Sequence, residues 1–415
     1  MVRVCDAIMG TGKSQSAITY MNENSDEKFI YITPYLEEAK RIKEGCPSLN
    51  FIEPSNKLKK YNRRKTDHTA ALIRKGRNIT TTHQSFKAYT PEMLSDIRRH
   101  KYTLIIDENV DVLETFEFHA DDLQMAVDAG YISETDGVFT MNDVTYRGDA
   151  LRDMFRFLKT HKLIRIEDEE SNSLFYWALP PELITSFENV FILTYLFRGQ
   201  SLHHFLEIYQ IPYQYIGIEK TDDAETGFRF SDYPGYTPEY VKDLGRMLHI
   251  VDYDKINEVG DDYYALSMNW FKNKRECAEQ LRRNAYNCFR NVWGDAPAHQ
   301  RMWSTFNDEK FHMQGKGYTK SFLTFNSKAT NVYRTRTHLV YMVNVFMNVN
   351  DKRFYSKFGI DVDEDMYALS VMVQWIWRSA IRDGEEVYLY IPSSRMRNIL
   401  VNWINTVSKG GNCIE

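Results

Sequence analysis

The stretch Ala7-Ile8-Met9-Gly10-Thr11-Gly12-Lys13-Ser14 decides how this chain of 415 residues is read. A short, mainly apolar run, Val2-Arg3-Val4-Cys5-Asp6, precedes it, and Ala17, Ile18 and Met21 follow at helical spacing. A glycine turn between a strand and a helix offers backbone N–H groups and the positive end of a helix dipole to an anion. Gly10, Thr11 and Gly12 then form a phosphate cradle. Lys13 is placed to reach the β- and γ-phosphates of a nucleotide, and the Ser14 hydroxyl to complete the coordination of Mg²⁺. A bare Gly-Lys-Ser match arises often by chance, and Ala7 stands where the general pattern has its first glycine. A second motif is needed.

Tyr102-Thr103-Leu104-Ile105-Ile106-Asp107-Glu108 supplies it. A hydrophobic strand ends there in two carboxylates, at the strand end where open α/β sheets bind their ligands. Asp107 is expected to hold Mg²⁺ through water, and Glu108 to orient and deprotonate an attacking water. The plain alternative is an acidic helix cap after a strand. Two motifs in the right order, each at a strand end, point instead to hydrolysis of ATP or GTP, with ATP and Mg²⁺ as the expected cofactors.

Outward from these motifs, strands and helices alternate. Lys28–Thr33 reads as a strand closed by Pro34, with a helical stretch over 35–43. A helix over 67–76 leads into a strand at 78–82, and a helix over 91–99 into the strand that ends at Asp107. This rhythm argues an α/β fold with a parallel sheet covered on both faces. Residues 110–185 break it, with an acidic helix near 119–128, turns at Asp136-Gly137 and Gly148-Asp149, and a strand at 174–178, and are read as an insertion. A buried strand returns at 189–194, which closes a first domain over 1–200. The second domain, 201–415, is more divergent and helix-rich, with a strand at 212–218 and an irregular segment over about 220–310. Helices are expected at 273–292, 296–306 and 365–382, and strands at 320–325, 338–343 and 386–391.

A formal net charge of −5 gives no general attraction to nucleic acid, so any such contact must rest on local basic patches. The five cysteines form no CxxC pair and have no histidine at zinc-ligand spacing, which suits incidental thiols in a reducing cytoplasm. Asp6 interrupts the first apolar run, so no signal peptide is expected. No apolar stretch approaches the roughly 20 residues needed to span a bilayer. The expectation is a cytoplasmic protein, in a bacterial host if viral, with no membrane partner.

The Ala-x-x-Gly-x-Gly-Lys-Ser form, followed by a strand ending in Asp-Glu, resembles motifs I and II of superfamily 2 helicases. More narrowly, it is similar to the helicase-like proteins of bacteriophages. The resemblance implies two RecA-like parallel-sheet domains with ATP hydrolysed between them. It also implies a nucleic-acid partner, single-stranded DNA or a DNA junction, in phage replication or recombination. Thr33-Pro34 resembles motif Ia and Thr80-Thr81-Thr82-His83-Gln84 motif Ib, both of which lie along a nucleic-acid backbone in that family. Thr194 alone agrees with motif III. Gln374-Trp375-Ile376-Trp377-Arg378-Ser379-Ala380-Ile381-Arg382 resembles motif VI, with Gln374 and Arg378 on their counterparts, both glycines missing, and Arg382 displaced by one residue. On one helix, Arg378 and Arg382 are i,i+4 neighbours that point the same way, as arginine fingers toward a γ-phosphate. The plain reading of that segment is an aromatic core face with arginines paired to surface acids. The loop holding Asn326, Thr330 and Asn331 stands where motif V lies. The chain departs from the family in two places. Six residues precede Ala7 in the sequence, so an upstream adenine-reading Gln is not expected. The tetrad Asp107-Glu108-Asn109-Val110 also matches neither of the usual spellings.

Lys59, Lys60, Arg63 and Arg64 surround Tyr61, and a positive surface with an interleaved aromatic suits a single strand. A solvated lysine-rich face is the bland alternative. His83 reads first as a hydrogen-bonded structural histidine and second as part of the nucleic-acid track. Two other functions compete with a translocase. A DNA-packaging motor would add a nuclease, for which Asp361, Asp363 and Asp365 are the only dense carboxylates; their alternation before a helix fits a solvated turn better. A nucleotide-dependent DNA-binding regulator with little turnover is the third reading.

Overall fold

In a computed structural model the described residues are 1–34, 36–114, 118–142, 146, 148–149, 151–167, 173–223, 226–327 and 332–410. The chain begins with β1 (Val2–Asp6), β2 (Lys28–Thr33), β3 (Ile79–Thr82) and β4 (Tyr102–Asp107). All four are buried almost throughout, because helices cover both faces of their sheet; β2 and β4 accordingly read as mainly apolar runs, whereas β3 buries threonines. After β4 the chain leaves the sheet to form β5 (Leu113–Glu114), β6 (Ile132–Thr135), β7 (Val138–Met141), β8 (Lys162–Glu167) and β9 (Ser173–Ala178). These pair antiparallel in the order β5-β9-β8-β7-β6, over a small core of Leu123, Phe139, Leu163 and Trp177.

β10 (Asn189–Thr194), β11 (Tyr213–Lys220) and β12 (Phe228–Asp232) complete the first sheet, in the order β12-β11-β1-β10-β4-β2-β3. Its pairs are parallel except β11 with β12. β10 lies between the glycine-loop strand and the acid strand, with Leu193 in register with Cys5 on one side and Asp107 on the other. The loops leaving β1, β10 and β4 therefore converge at one sheet end. The strand expected at 212–218 is β11, and it pairs with β1 rather than joining the second sheet.

That second sheet consists of β13 (Leu248–Ile250), β14 (Arg301–Ser304), β15 (His338–Tyr341) and β16 (Val387–Tyr390), in the order β13-β16-β15-β14 with every pair parallel. Three expectations are corrected here. β14 lies inside the stretch 296–306 that reads as helical; all four of its residues are buried, and so short a buried run has no periodicity to separate strand from helix. The strand expected at 320–325 reduces to a 3₁₀ turn, Thr319–Ser321, and one bridge from Phe322 to Trp303. The helix expected over 365–382 is Glu364–Ile376. It stops because Ser379 turns to extended backbone, ψ −172°, while its hydroxyl donates to the Ile376 carbonyl at 2.6 Å.

The two sheets share a core. Ile8 and Leu196 from the first pack with Met372, Trp377 and Trp403 from the second. Trp403 Nε1 donates to the Tyr195 hydroxyl at 3.1 Å, and Trp377 Nε1 to that of Tyr240 at 3.3 Å. A Cβ on Gly199 would lie 2.7 Å from the Met366 backbone, so a glycine is what lets the helix Glu364–Ile376 approach so closely. Each large apolar side chain buried at this joint contributes about 1.5–3 kcal/mol. Among the described residues no helix is long and apolar enough to cross a membrane.

Candidate active site

The glycine loop turns through two left-handed residues, Gly10 at φ +90° and Gly12 at φ +96°. At Gly12 a Cβ would also fall 2.5 Å from the Phe228 ring on β12, so backbone and neighbour both exclude a side chain. Thr11 Oγ1 donates to the Ile8 carbonyl at 2.8 Å and tightens the turn. Lys13 Nζ donates to the carbonyls of Ala7 and, at 3.1 Å, Ile8, which folds the ammonium across the loop. Burial lowers the Lys13 pKa, against the opposing charges of Cys5, Asp107, Asp6 and Glu108.

On the neighbouring acid strand, Asp107 Oδ2 accepts from the Tyr31 hydroxyl at 3.0 Å, and Ser14 also interacts with that hydroxyl. Burial, reinforced by Glu38 and Glu108, pushes the Asp107 carboxyl up to about 7. Glu108 sits in the left-handed region at φ +64°, a conformation that costs a non-glycine residue about 1–3 kcal/mol. Its N–H donates to the Leu193 carbonyl at 2.9 Å, tying the bend to β10. Its Oε1 accepts from Arg378 Nη2 at 3.1 Å, while Oε2 is buried without a partner. Ser14, Asp107 and Glu108 thus bring oxygen donors together beside one orphaned carboxylate oxygen, a set that suits a hard dication such as Mg²⁺.

The second sheet supplies the opposite wall. Arg378 is only 6% exposed, and Arg382 Cγ lies 3.6 Å from where a Gly10 Cβ would be. Burial, and then the neighbouring charges of Arg378 and Arg334, lower the Arg382 pKa. The two arginines do not share a helix face, as the i,i+4 spacing implies. Arg378 follows the end of Glu364–Ile376 and Arg382 sits in the 3₁₀ turn Ala380–Asp383. Gln374, on the helix itself, lines a cleft of about 350 Å³ with Glu108, Asn109, Gln200 and Asn326.

Asp6 plays a part that the sequence reading missed. Its carboxylate accepts from the N–H groups of Leu196 at 2.8 Å and Phe197 at 3.0 Å, pinning the loop after β10 to the end of β1. An acid interrupting an apolar strand was the available signal. Thr194 Oγ1 donates to Gln200 Oε1 at 2.7 Å and so organises the same loop.

The residues expected along nucleic acid scatter. Lys59, Lys60, Arg63 and Arg64 are exposed, with Lys60 over the Tyr61 ring at 4.8 Å and Tyr61 stacked on His68. Thr82 caps the short helix His83–Lys87 by accepting from Ser85 N. Thr33 is wholly buried at the end of β2, because the sheet is covered there, so its hydroxyl does not reach a surface. His83 Nε2 lies 2.9 Å from the Asp107 carbonyl, which places it under the acid strand as a structural histidine and off any surface track. Asn326 is exposed at the cleft; Thr330 and Asn331 lie outside the described residues. Of the three alternating aspartates, Asp363 caps a helix through Met366 N at 2.8 Å and Asp365 pairs with Arg395 at 2.7 Å.

Fold and site together define a mixed α/β protein of two mainly parallel sheets and a smaller antiparallel one, with a glycine loop and acid pair on the first and arginines arriving from the second. Residues 242–404 match the family model of the YonV C-terminal Rossmann-like domain. The SPbeta prophage-derived uncharacterized protein YonV of Bacillus subtilis (strain 168) is 34% identical over 412 residues, covering 97% of this chain and 98% of that protein. The chain belongs to the YonV family. Among solved structures, S. tokodaii Xpd4 overlays with a TM-score of 0.41 at 12% identity, covering 97% of this chain and 94% of that one. A hypothetical ATP-dependent RNA helicase from Sulfolobus tokodaii gives 0.26 at 9% identity, covering 98% and 90%. Overlays that loose leave the architecture to be read from the strand order itself.

Proposed function

We propose that the chain is an ATP-dependent nucleic-acid translocase or helicase of the superfamily 2 type, which hydrolyses ATP at the seam between its two parallel sheets. The observation that carries this reading is the two-sided approach to the glycine loop, with Arg378 on Glu108 and Arg382 beside Gly10. Lys13 and the loop N–H groups bind the phosphates. Glu108 accepts the proton of the attacking water, and Arg378 turns from Glu108 to the γ-phosphate as charge builds there. Mg²⁺, held by Ser14 and Asp107, supplies Lewis-acid neutralisation of the phosphate oxygens when bound. Binding energy at the seam then moves the second sheet relative to a nucleic acid held by exposed cations such as Lys59, Lys60, Arg63 and Arg64.

A second reading, a nucleotide-dependent DNA-binding regulator with little turnover, is favoured by one feature. Lys13 is engaged by the loop's own carbonyls and Glu108 by Arg378. ATP hydrolysis measured with and without single-stranded DNA separates the two. Stimulation by DNA that disappears in Lys13→Ala and Arg378→Ala supports the translocase. Equal, low rates in both conditions would sink it and leave the regulator.

A further inference from the structure

The helix Ser201–Ile208, which follows β10, carries His203, His204 and Glu207. Spacings of i,i+4 and i,i+3 bring both imidazoles to the one carboxylate. One ligand atom from each residue lies within 4.8 Å of the other two. His203 and His204 are 7% and 2% exposed, whereas Glu207 opens to solvent.

Two distances give the cluster its meaning. His203 Nδ1 stands 3.3 Å from Glu207 Oε2, and His204 Nδ1 stands 3.5 Å from the same oxygen. A charge-assisted N–H···O bond would be about 2.7–2.9 Å. Two donors at zinc-ligand distance, about 2.0–2.1 Å from an ion and at the tetrahedral angle, stand about 3.3–3.4 Å apart. The His203 spacing is that of a coordination edge, and the His204 spacing, a long hydrogen-bond distance, is slightly wider.

The outer side of His203 agrees. Its Nε2 lies 3.1 Å from the Tyr213 hydroxyl, while its Nδ1 is buried without a hydrogen-bond partner. With Nε2–H given to Tyr213, Nδ1 turns a lone pair toward a carboxylate, and two acceptors hold that arrangement with a cation between them.

We propose that His203, His204 and Glu207 form a binding site for a first-row transition dication of the zinc type, with two nitrogen donors, one oxygen donor and a fourth position open to solvent. The His204 ring lies 4.9 Å from that of Tyr355 on the helix Val349–Lys357, and Tyr355 lines the cleft beside Glu108. An ion here braces the wall of that cleft from the first sheet's side.

The test uses tag-free, full-length protein stripped with a chelator and titrated with Co²⁺ and Zn²⁺, followed by cobalt d–d absorption and calorimetry. One equivalent of Co²⁺ is expected to give a saturable tetrahedral spectrum that Zn²⁺ abolishes and excess Mg²⁺ does not. Glu207→Gln, at an exposed position that leaves the fold intact, and His203→Asn are each expected to weaken binding by roughly tenfold or more, while His119→Ala changes nothing. No saturable spectrum, or affinity indifferent to Glu207→Gln, overturns the site. Neither readout involves nucleotide, so the outcome stands apart from the proposed hydrolysis.

Discussion

Arg378 and Glu108, 270 positions apart in the chain, meet at 3.1 Å, the arginine almost wholly buried and the carboxylate 24% exposed along its side chain. The pair joins the turn after Glu364–Ile376 to the end of β4, and so joins the two sheets at their chemical centre. The group proposed to activate water is held by the group proposed to meet the γ-phosphate. A triphosphate that draws Arg378 away frees Glu108 in the same motion.

Breaking that pair from one side is expected to cost more than removing both members. Arg378→Ala leaves a half-buried carboxylate unpaired, and a loss of about 2–3 kcal/mol is expected, below the fully buried range because Glu108 keeps some solvent. The double variant Glu108→Gln with Arg378→Met is expected to recover part of that loss. Hydrolysis should be absent in both. Urea midpoints of wild type, single and double variants give the coupling, and an unchanged midpoint in Arg378→Ala would mean that the contact does not join the sheets.

Asp107 ties stability to pH. Its carboxyl takes up a proton at about 7 in the folded chain, against 3.8 for the ordinary group. Between those values the folded state binds more protons, so this group's contribution to stability falls as pH rises and levels off above about 7. Across the window the change is on the order of 4 kcal/mol. Asp107→Asn is expected to remove that slope, to melt higher than wild type at pH 8, and to abolish hydrolysis. The measurement is the melting temperature of both proteins at pH 5 and pH 8. Parallel pH slopes would count against the buried carboxyl as their cause.

The sequence reveals the first sheet far better than the second, for a physical reason. β1, β2, β4 and β10 are long enough and buried on both faces to read as mainly apolar runs, and the first three are closed by a chemical signal: a glycine turn, Pro34, and the Asp107-Glu108 pair. β14 is four residues long and carries Arg301 at its start, whose guanidinium is satisfied by the carbonyls of Ala296 and Gly317. Nothing local marks it. Arg382 does reach the glycine loop and Arg378 the acid pair, but by a chain turn at Ser379 that contains neither glycine nor proline; their i,i+4 spacing suggested a continuous helix. Thr33 and His83 are linked to a nucleic-acid track only through the resemblance to motifs Ia and Ib, with a structural role for His83 as the first reading; both side chains are buried at their strand ends. His203, His204 and Glu207 passed unread, since a helical His-His-x-x-Glu spacing means little until both imidazoles are known to be buried.

Gly12 is held by two independent constraints, and substitution can separate them. Gly12→Ala places a Cβ at φ +96° and against the Phe228 ring. The backbone part alone is expected to cost about 1–2 kcal/mol. Phe228→Ala in the same background should relieve the steric part and leave the backbone part. Denaturation of the two single variants and the double reports the split. Strict additivity would show that the ring does not press on the loop.

The basic segment around Tyr61 offers the sharpest test of a nucleic-acid track, because its cations are exposed and removable. Lys59, Lys60, Arg63 and Arg64 are exposed, so replacing all four with Gln is expected to leave the melting temperature nearly unchanged. Each cation that meets a phosphate of a single strand contributes about 0.7 to the slope of log affinity against log salt. If all four do so, the slope for a single-stranded oligonucleotide should fall by about 3 in the variant. Tyr61→Ala should instead weaken binding by about 1–3 kcal/mol with the slope unchanged, since stacking releases no counterions. Fluorescence anisotropy over a series of salt concentrations reads both quantities. A slope identical in wild type and quadruple variant would move the track elsewhere, to the cleft lined by Asn326 and Gln374.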